Sequence, residues 1–333
     1  MKILITSEFF LSGQSTHVLD LAKQLKLLGH KIQIVFTGIH SQTFYSYYGS
    51  LLKRQGIIYY TTKHQTNIRN IIRQFRPDII HCHSSTIFSL TEKMASQLRI
   101  PFIVTCHGLG LSHPKYLQAL SKAARLICVG VNSAKELMPL FASKIEIIPN
   151  GIDIQVFKPA PKEEQLTVYY IARIDSSKIG PLKQLAKAVN KIPELSLTVV
   201  GNWKPPLNQI EFVSWQTDLT KILAPANIVA ACGRTAREAM ASGAAVLLMN
   251  KRYDGLINRR LVNKANFDFS GNIGRCRYQQ IYKDLKLLTY HPRQLRKIQD
   301  FSREYALNYL ASSIMAEKTV QVYQQVIKEN AKA

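Results

Sequence analysis

Residues 147–162 read IIPNGIDIQVFKPAPK, and this stretch decides how the rest of the chain is interpreted. It begins at the end of an apolar, strand-like run, which Pro149-Asn150-Gly151 interrupts. A polar, proline-rich connector follows at 158–162, and such connectors are typical of domain boundaries. Since the chain has 333 residues, and single domains cluster at roughly 100–200, we expect two domains of similar size.

Both halves of the chain alternate short apolar runs with amphipathic helical patterns. Strands are predicted at Lys2–Thr6, Lys31–Phe36, Gly56–Tyr60, Asp78–His83, Pro101–Cys106, Leu126–Val129, Ile145–Ile148, Leu166–Ile171, Ser196–Val200, Ile210–Val213, Asn227–Ala230 and Ala244–Met249. Helices are predicted between them, for example at His17–Leu28, which Gly29 closes, and at Pro181–Asn190. This alternation predicts an α/β protein with two Rossmann-like domains, each built on a parallel sheet, that face each other across a cleft.

We place an N-terminal domain at residues 1–158 and a C-terminal domain at residues 159–305. Residues 306–333 continue a polar, helical pattern, and we expect this C-terminal helix to pack back on the N-terminal domain.

Composition restricts the class of protein. Hydrophobic residues make up 46% and charged residues 20%, which is ordinary for a soluble globular protein. No stretch approaches the ~20 apolar residues of a membrane-spanning helix, so we expect a cytoplasmic protein. The five cysteines are scattered and lack CxxC spacing, which favours buried, reduced thiols and no structural metal.

The net charge points to anionic partners. The chain has 44 Lys and Arg against 21 Asp and Glu, a formal charge of +23. Nucleic acid, anionic lipid and polyanionic glycan would all be attracted. Because the basic residues are spread through both halves, with no basic tail and no base-reading motif, we expect no nucleic acid. A peripheral position on the inner, anionic face of the cell membrane fits the charge better.

Polar residues follow the predicted strands, at the sheet edge where open α/β folds bind ligands. Gly13 opens a helix after the first strand, and a glycine there lets the backbone approach a ligand at the positive helix end. An ordinary capped turn would look the same. His83 and His107 each stand at the end of a strand, where a packed histidine is as common as a catalytic one.

Several strings, taken together, make the chain resemble the retaining glycosyltransferases of family 4. The string IPNGID at 148–153, followed by Phe157 and Pro159, matches the segment where that family's two domains join. The other matches are the Gly13 loop, Gly29-His30, DIIHCHS at 78–84, TCHG at 105–108, Arg173 with Lys178, VVG at 199–201 and EAMASG at 238–243. They run from residue 1 to about residue 250, and their shared order is more specific than any single string.

The resemblance implies a glycosyltransferase-B fold with an acceptor-side N-terminal domain and a C-terminal domain that binds a nucleotide sugar. Gly13, Arg173 and Lys178 then contact the donor diphosphate. Its departure develops negative charge, which an Arg fork and a Lys point charge would stabilise. Without the resemblance, two surface cations in so basic a chain would be unremarkable.

The resemblance also assigns the sugar end of the donor site. Glu238 is expected to hold the ribose hydroxyls, with Gly233, Arg234 and Thr235 beside the ribose and the sugar. Glu238 could instead form an i,i+4 pair with Arg234 on the helix surface. His107 is expected to contact the donor sugar or the transition state, and is the predicted catalytic residue.

We expect neither a metal nor a cofactor other than the co-substrate. No Asp-x-Asp pair follows a predicted strand, and transferases that hold Mn²⁺ or Mg²⁺ use such carboxylates. No carboxylate nucleophile stands out either. The resemblance implies retention of configuration, and front-face departure and attack are therefore expected.

Two positions depart from the family pattern. Ala230 stands eight positions before Glu238, where the family often has a second glutamate. Ile179 follows Lys178, where a glycine is usual. The sequence therefore predicts an altered sugar-binding end and an altered phosphate loop.

The segment 43–60 places aromatic side chains beside cations. We expect Tyr45, Tyr48, Lys53 and Arg54 to contact an acceptor glycan or a membrane surface. The alternative is a partly buried helix whose tyrosines cover the core.

The predicted function is transfer of a sugar from a UDP-sugar to a glycan or lipid-linked acceptor, in cell-envelope glycan or glycolipid synthesis. A non-catalytic partner or glycan-binding subunit with the same fold is the main alternative. A UDP-sugar epimerase and, on charge alone, a nucleic-acid-binding protein are the others. The sequence identifies neither the sugar nor the acceptor.

Overall fold

The computed structural model describes residues 1–332, and the chain forms two compact units. Unit 1 comprises Met1–Gly151 and the chain from Ser312 onward, and unit 2 comprises Ile152–Ala311. The division differs from the predicted one at both crossings, because residues 152–158 and 306–311 belong to unit 2. The last helix belongs to unit 1 and packs on its first helix.

Unit 1 is built on a seven-stranded parallel sheet with the strand order β3-β2-β1-β4-β5-β6-β7. Its strands are β1 Lys2–Phe9, β2 Lys31–Ile39, β3 Ile58–Thr61, β4 Ile79–Cys82, β5 Phe102–Cys106, β6 Arg125–Cys128 and β7 Ile145–Ile147. Its helices are α1 Gly13–Leu27, α2 Gly49–Arg54, α3 Gln65–Phe75, α4 Phe88–Leu98, α5 Pro114–Lys122, α6 Val131–Phe141 and α13 Ser312–Asn330. Short helical turns at Phe44–Tyr48, Ser85–Ile87 and Ala142–Lys144 complete the unit.

Both faces of this sheet are covered, as the continuous apolar strands predict. Ile3 and Ile5 of β1 point into one core, which α1 and α13 close. Leu4, between them, points into the other core, which α3–α6 close. Gly29, at φ +83°, ends α1 in the left-handed conformation that favours glycine, and this prediction is confirmed.

Unit 2 repeats the plan with a six-stranded sheet in the order β10-β9-β8-β11-β12-β13. Its strands are β8 Leu166–Ile171, β9 Leu195–Gly201, β10 Glu211–Ser214, β11 Ile228–Ala231, β12 Ala245–Met249 and β13 Tyr253–Leu256. Its helices are α7 Ser176–Val189, α8 Thr220–Leu223, α9 Gly233–Ala241, α10 Arg259–Val262, α11 Tyr278–Tyr290 and α12 Pro292–Tyr305, followed by a π-helical turn at Ala306–Leu310. The pairs are parallel except that β13 runs antiparallel to β12.

Gly151 explains why the opening segment marks the boundary. A Cβ at this position would lie 2.5 Å from the Cα of Ser312, where the chain returns to unit 1. Next along the chain, Ile152 pairs with Ala311 in unit 2, and its N–H donates to the Leu310 carbonyl at 2.7 Å. The outgoing and returning segments therefore touch, and only glycine leaves room for the contact.

Within residues 1–332, none of the helices combines the length and the apolar character that crossing a bilayer requires. None of the five cysteines is in a disulfide, and Cys82, Cys106 and Cys128 are buried in the sheet of unit 1. This fits the predicted reduced thiols.

Candidate functional site

The strand order of each unit creates one edge where ligands can bind. In unit 1 the order reverses between β1 and β4, and in unit 2 it reverses between β8 and β11. A crevice opens at the carboxyl ends of the strands at such a reversal. The candidate residues of each unit follow those strands.

A group of histidines lies at this edge of unit 1. The His83 Nδ1 lies 3.1 Å from the His107 Nε2, a hydrogen-bonding distance. The ring of His17, from the second turn of α1, stands at 4.8 Å from the ring of His107 and 5.3 Å from that of His83. His81 lies deeper, 2.7 Å from both the Tyr323 hydroxyl and the Thr105 hydroxyl. The structure therefore gathers residues that the sequence separates.

Burial keeps these rings neutral. It is the largest cause of the lowered pKa of His81, His83 and His107, and repulsion from neighbouring histidines, His17 among them, adds to it. The His83 Nε2 and the His107 Nδ1 are buried without a hydrogen-bond partner among residues 1–332. Neutral imidazoles with free nitrogens are suited to donating to, or accepting from, a ligand hydroxyl.

The same cluster has the residue types of a metal site. One ring nitrogen from each of His17, His83 and His107 lies within 4.8 Å of the other two. Three histidines form one of the ligand sets of catalytic zinc. The sequence pattern does not group His17 with the other two, because the three residues belong to different elements. The absence of a metal stays a prediction.

Gly13 is the first residue of α1, and it follows β1 as predicted. Ser12 precedes it in an extended conformation and makes no side-chain cap, so the amides at the start of α1 are directed to the sheet edge. Nearby, the Ser84 hydroxyl accepts from the Gln14 amide at 2.6 Å and from the Glu8 N–H at 2.8 Å.

The aromatic segment divides into exposed and buried residues. Tyr45 is 62% exposed, and Lys53 and Arg54 are exposed as well. Tyr48 is only 7% exposed, and its ring lies 5.1 Å from that of Phe9. Its predicted contact with an acceptor or a membrane is therefore corrected: Tyr48 covers the core, the role that the alternative gave to these tyrosines.

In unit 2, the first candidates follow β8. The Arg173 side chain is exposed, and no acidic partner faces it among the described residues. Lys178 lies in the first turn of α7, where its Nζ is 3.0 Å from the Asp175 carboxylate and also donates to the Arg173 carbonyl. Asp175 in turn caps α7 by accepting from the Ser177 N–H at 2.9 Å. Both cations lie at the start of a helix, where an anion is favoured.

The predicted phosphate loop after Lys178 is helical instead. Because Asp175 caps the helix, α7 begins at Ser176 rather than at Pro181, and Ile179 falls within its first turn. There the Ile179 side chain packs against the core of unit 2. The departure from glycine thus adds an apolar contact to a helix and does not reshape a loop.

The second group lies beside the first, because β11 pairs with β8. Gly233, at φ +59°, opens α9 directly after Cys232, and its N–H donates to the Phe269 carbonyl at 2.6 Å. The Arg234 Nε donates to the Glu238 carboxylate at 2.6 Å. This is the predicted i,i+4 pair, but it is not on the surface, since the Glu238 side chain is only 8% exposed. Thr235 is half-buried in the same turn.

Ala230 is a strand residue and not a loop residue. It lies in β11 and is fully buried, and a single residue, Cys232, separates β11 from α9. The connection is thus too short to include a loop that could carry a second glutamate.

Several residues that the sequence reasoning missed complete this edge. Asn202 and Trp203, after β9, hold the loop of Arg173, because the Asn202 Oδ1 accepts from the Ile174 N–H at 2.6 Å and the Trp203 Nε1 donates to the Ile174 carbonyl at 3.0 Å. Their position after a strand ending in VVG could have indicated this. Asp175 was also missed, although Asp-Ser-Ser before a helical pattern is a capping signal.

Comparison with known proteins agrees with this geometry. The family model described as Glycosyltransferase Family 4 matches residues 11–156. Among curated proteins, the phosphatidylinositol N-acetylglucosaminyltransferase A-type chain of Arabidopsis thaliana is 26% identical over 203 residues, 52% of this chain and 45% of that protein. Phosphatidyl-myo-inositol mannosyltransferase of Mycolicibacterium smegmatis is 23% identical over 216 residues, 57% and 55% of the two chains. The chain spans about half the length of these curated relatives.

The fold matches solved structures over almost the entire chain. Anabaena Alr3699/HepE, crystallised with UDP and glucose, superimposes with a TM-score of 0.74 at 14% identity and covers 97% of this chain and 99% of its own. This likeness shows the fold, which is the glycosyltransferase-B fold predicted from the sequence.

Proposed function

Since residues 11–156 of this chain belong to glycosyltransferase family 4 and the whole chain has the glycosyltransferase-B fold, we propose that the protein transfers a sugar from a nucleoside-diphosphate sugar to a glycan or lipid-linked acceptor. The observation that carries the proposal is the carboxyl edge of unit 2. There Arg173, Lys178 and Glu238 follow two paired strands, β8 and β11. Two cations and one carboxylate are the groups that a diphosphate and a ribose diol require.

The diphosphate is assigned to the cations. Arg173 has no competing acidic partner among residues 1–332, and the Lys178 ammonium needs only to leave Asp175 to reach a phosphate. UDP is the preferred nucleotide, because a structure of the same fold holds UDP. Glu238 would bind the ribose, exchanging its contact with Arg234 for the hydroxyls.

The proposed reaction retains the anomeric configuration. The bond from the anomeric carbon to the β-phosphate oxygen breaks while a bond to the acceptor hydroxyl oxygen forms on the same face. The acceptor proton passes to the departing phosphate oxygen. Arg173 and Lys178 stabilise the charge that develops there, which makes a metal ion unnecessary for this role. Neutral His107, through its unpartnered Nδ1, is assigned to a donor-sugar hydroxyl.

The acceptor is assigned to unit 1 by the family resemblance, with exposed Tyr45, Lys53 and Arg54 as its proposed contacts. The charge of +23 also favours a cytoplasmic protein that associates peripherally with an anionic membrane. A lipid-linked acceptor would then be presented at that surface.

A panel of nucleotide sugars tests the proposal, first by thermal shift of the full chain and then by transfer to screened acceptors, in the presence of EDTA. We expect a UDP-sugar to raise the melting temperature, since ligands stabilise the fold that binds them. Glu238→Gln should weaken donor binding about tenfold or more, whereas Glu164→Gln, an exposed carboxylate of unit 2, should not. A requirement for added metal would refute metal independence and direct attention to the histidine cluster.

One observation favours a second function, that of a non-catalytic partner or glycan-binding subunit. The Glu238 carboxylate is engaged by Arg234, and no acidic residue lies between β11 and α9. Failure of every nucleoside diphosphate and nucleotide sugar to shift the melting temperature would support this function over transfer.

A further inference from the structure

A basic depression of about 810 Å³ lies on unit 2, outside the groups assigned to the donor. Its size is within the range of ligand sites. Five of its lining side chains are basic: Arg259, Arg260, Arg293, Arg296 and Lys297. The half-buried side chains of Ile298 and Phe301 add apolar surface to it.

The positive charge of this depression is poorly neutralised. Its two carboxylates, Asp300 and Glu304, leave a surplus of three positive charges over the five basic residues. Arg296 pairs with Asp300 at 3.1 Å. The other four basic residues have no acidic partner in the part of the chain that the structure describes. Like charges gathered in this way repel one another, and a bound anion would relieve the repulsion.

The depression and the donor groups lie at opposite edges of the sheet. The Ile257 N–H donates to the Val246 carbonyl at 2.8 Å, near the amino end of β12, and α10 begins two residues later. The donor groups follow the carboxyl ends of β8 and β11, which are parallel to β12. A ligand in the depression would therefore not occupy the donor site.

A neighbouring lysine extends the positive region. The Lys162 Nζ donates to the carbonyls of Ala224, Ala226 and Ser242, which also lie at the amino edge of the sheet. Burial, together with repulsion from Arg296, lowers the pKa of Lys162 to about 8. The field of the depression thus reaches a residue that is already held by backbone carbonyls.

We propose that this depression binds a phosphate-bearing ligand, supplied either by the headgroup of an anionic phospholipid or by a soluble phosphate compound. Planar guanidinium groups donate two parallel hydrogen bonds to phosphate, and four of the five basic residues are arginines. The apolar surface of Phe301 suits the carbon atoms next to such a phosphate.

Charge reversal in the full chain tests this site. The variant is R293E/K297E, and the matched control is K283E/K286E, which changes two exposed cations of α11 and gives the same net charge. Binding is measured to phosphatidylcholine vesicles with and without phosphatidylglycerol, by flotation, and to inorganic pyrophosphate, by calorimetry. UDP binding and the melting temperature verify that each variant is folded.

We expect R293E/K297E to weaken binding by about tenfold or more and the control to change it less than twofold. Loss of vesicle binding would identify the lipid headgroup as the source. Loss of pyrophosphate binding, without vesicle binding by the unmodified chain, would identify a soluble phosphate. Equal losses in both variants, or no binding to either probe by the unmodified chain, would overturn the proposal. None of these results depends on whether the chain transfers sugar.

Discussion

Lys178 is held by the residue that caps its own helix. Asp175 accepts from the Ser177 N–H and pairs with the Lys178 ammonium at 3.0 Å, and these contacts lower the pKa of the Asp175 carboxyl to about 2. The carboxylate is thus ionised at neutral pH and competes with any diphosphate for the lysine. Arg173, with no such partner among the described residues, meets no competition.

Asp175→Asn should therefore tighten UDP binding several-fold. Asparagine is as good a helix cap as aspartate, so α7 is preserved while the competing charge is removed. Calorimetric titration of UDP measures the affinity, and the melting temperature verifies the cap. Weaker UDP binding at an unchanged melting temperature would mean that Asp175 positions Lys178 for the phosphate instead of competing with it.

The buried histidines couple the stability of unit 1 to pH. Burial lowers the pKa of His81, His83 and His107 in the folded chain, whereas in the unfolded chain each returns to about 6.5. Below about pH 6.5 the unfolded chain binds protons that the folded chain does not. The free energy of unfolding should therefore fall with pH, by up to about 1.4 kcal/mol per pH unit for each histidine, until the folded-state pKa is reached.

Urea unfolding between about pH 7.5 and pH 5.5 measures this slope. His83→Gln should flatten the pH dependence, because one of the three buried groups no longer titrates. His64→Gln, at an exposed position before α3, should leave it unchanged. Parallel slopes for all three proteins would contradict the assignment of neutral, buried histidines.

At the scale of elements, α13 is part of the core of unit 1. Met315, Ala316, Tyr323 and Val326 are buried against α1 and the sheet. The Tyr323 hydroxyl also forms a hydrogen bond with His81 on β4, across 242 residues of sequence.

Tyr323→Phe should lower the free energy of unfolding by about 1–3 kcal/mol, because the His81 Nδ1 would be left buried and unpaired. Tyr309→Phe is the control, since Tyr309 is 63% exposed and its hydroxyl has no hydrogen-bond partner among residues 1–332. Chemical denaturation measures both. Equal stability of Tyr323→Phe and the unmodified protein would show that the buried hydrogen bond contributes nothing.

The strands with unbroken apolar runs were predicted within a few residues, because burial on both faces leaves a continuous apolar signal. β13 was missed, since YDGL is short, contains Gly255 and lies antiparallel at the sheet edge. The predicted start of α7 was also wrong, because the pattern favours Pro181 as the first residue of a helix that Asp175 caps. Such errors reflect cap and edge chemistry, to which apolar periodicity is insensitive.

The candidate site was predictable only in part. Motif order placed Arg173, Lys178, Glu238 and His107 after strands, where the structure has them. The pairing of Lys178 with Asp175 and the contact of His83 with His107 depend on side-chain conformations and on elements far apart in sequence. Neither could be obtained from spacing alone.

At the scale of the whole molecule, the chain crosses between its units at two adjacent points. Gly151→Ala should lower the free energy of unfolding by about 1–3 kcal/mol, because the new Cβ would lie 2.5 Å from the Ser312 Cα. Gly180→Ala, within α7 and with nothing within 4 Å of its Cβ, should instead stabilise by about 0.5–1 kcal/mol. Denaturant unfolding compares the two, and an unaffected Gly151→Ala would contradict the close contact.

The central claim is that the carboxyl edge of unit 2 binds a nucleoside diphosphate, and the most direct test is a calorimetric titration of UDP into the full chain. R173A/K178A should weaken UDP binding about tenfold to a hundredfold, because charge-assisted contacts to the diphosphate are lost. K183A/K221A removes two exposed cations of the same unit and should leave the affinity within about twofold. Equal affinity of R173A/K178A and the unmodified chain, or no UDP binding by the unmodified chain, would contradict the claim.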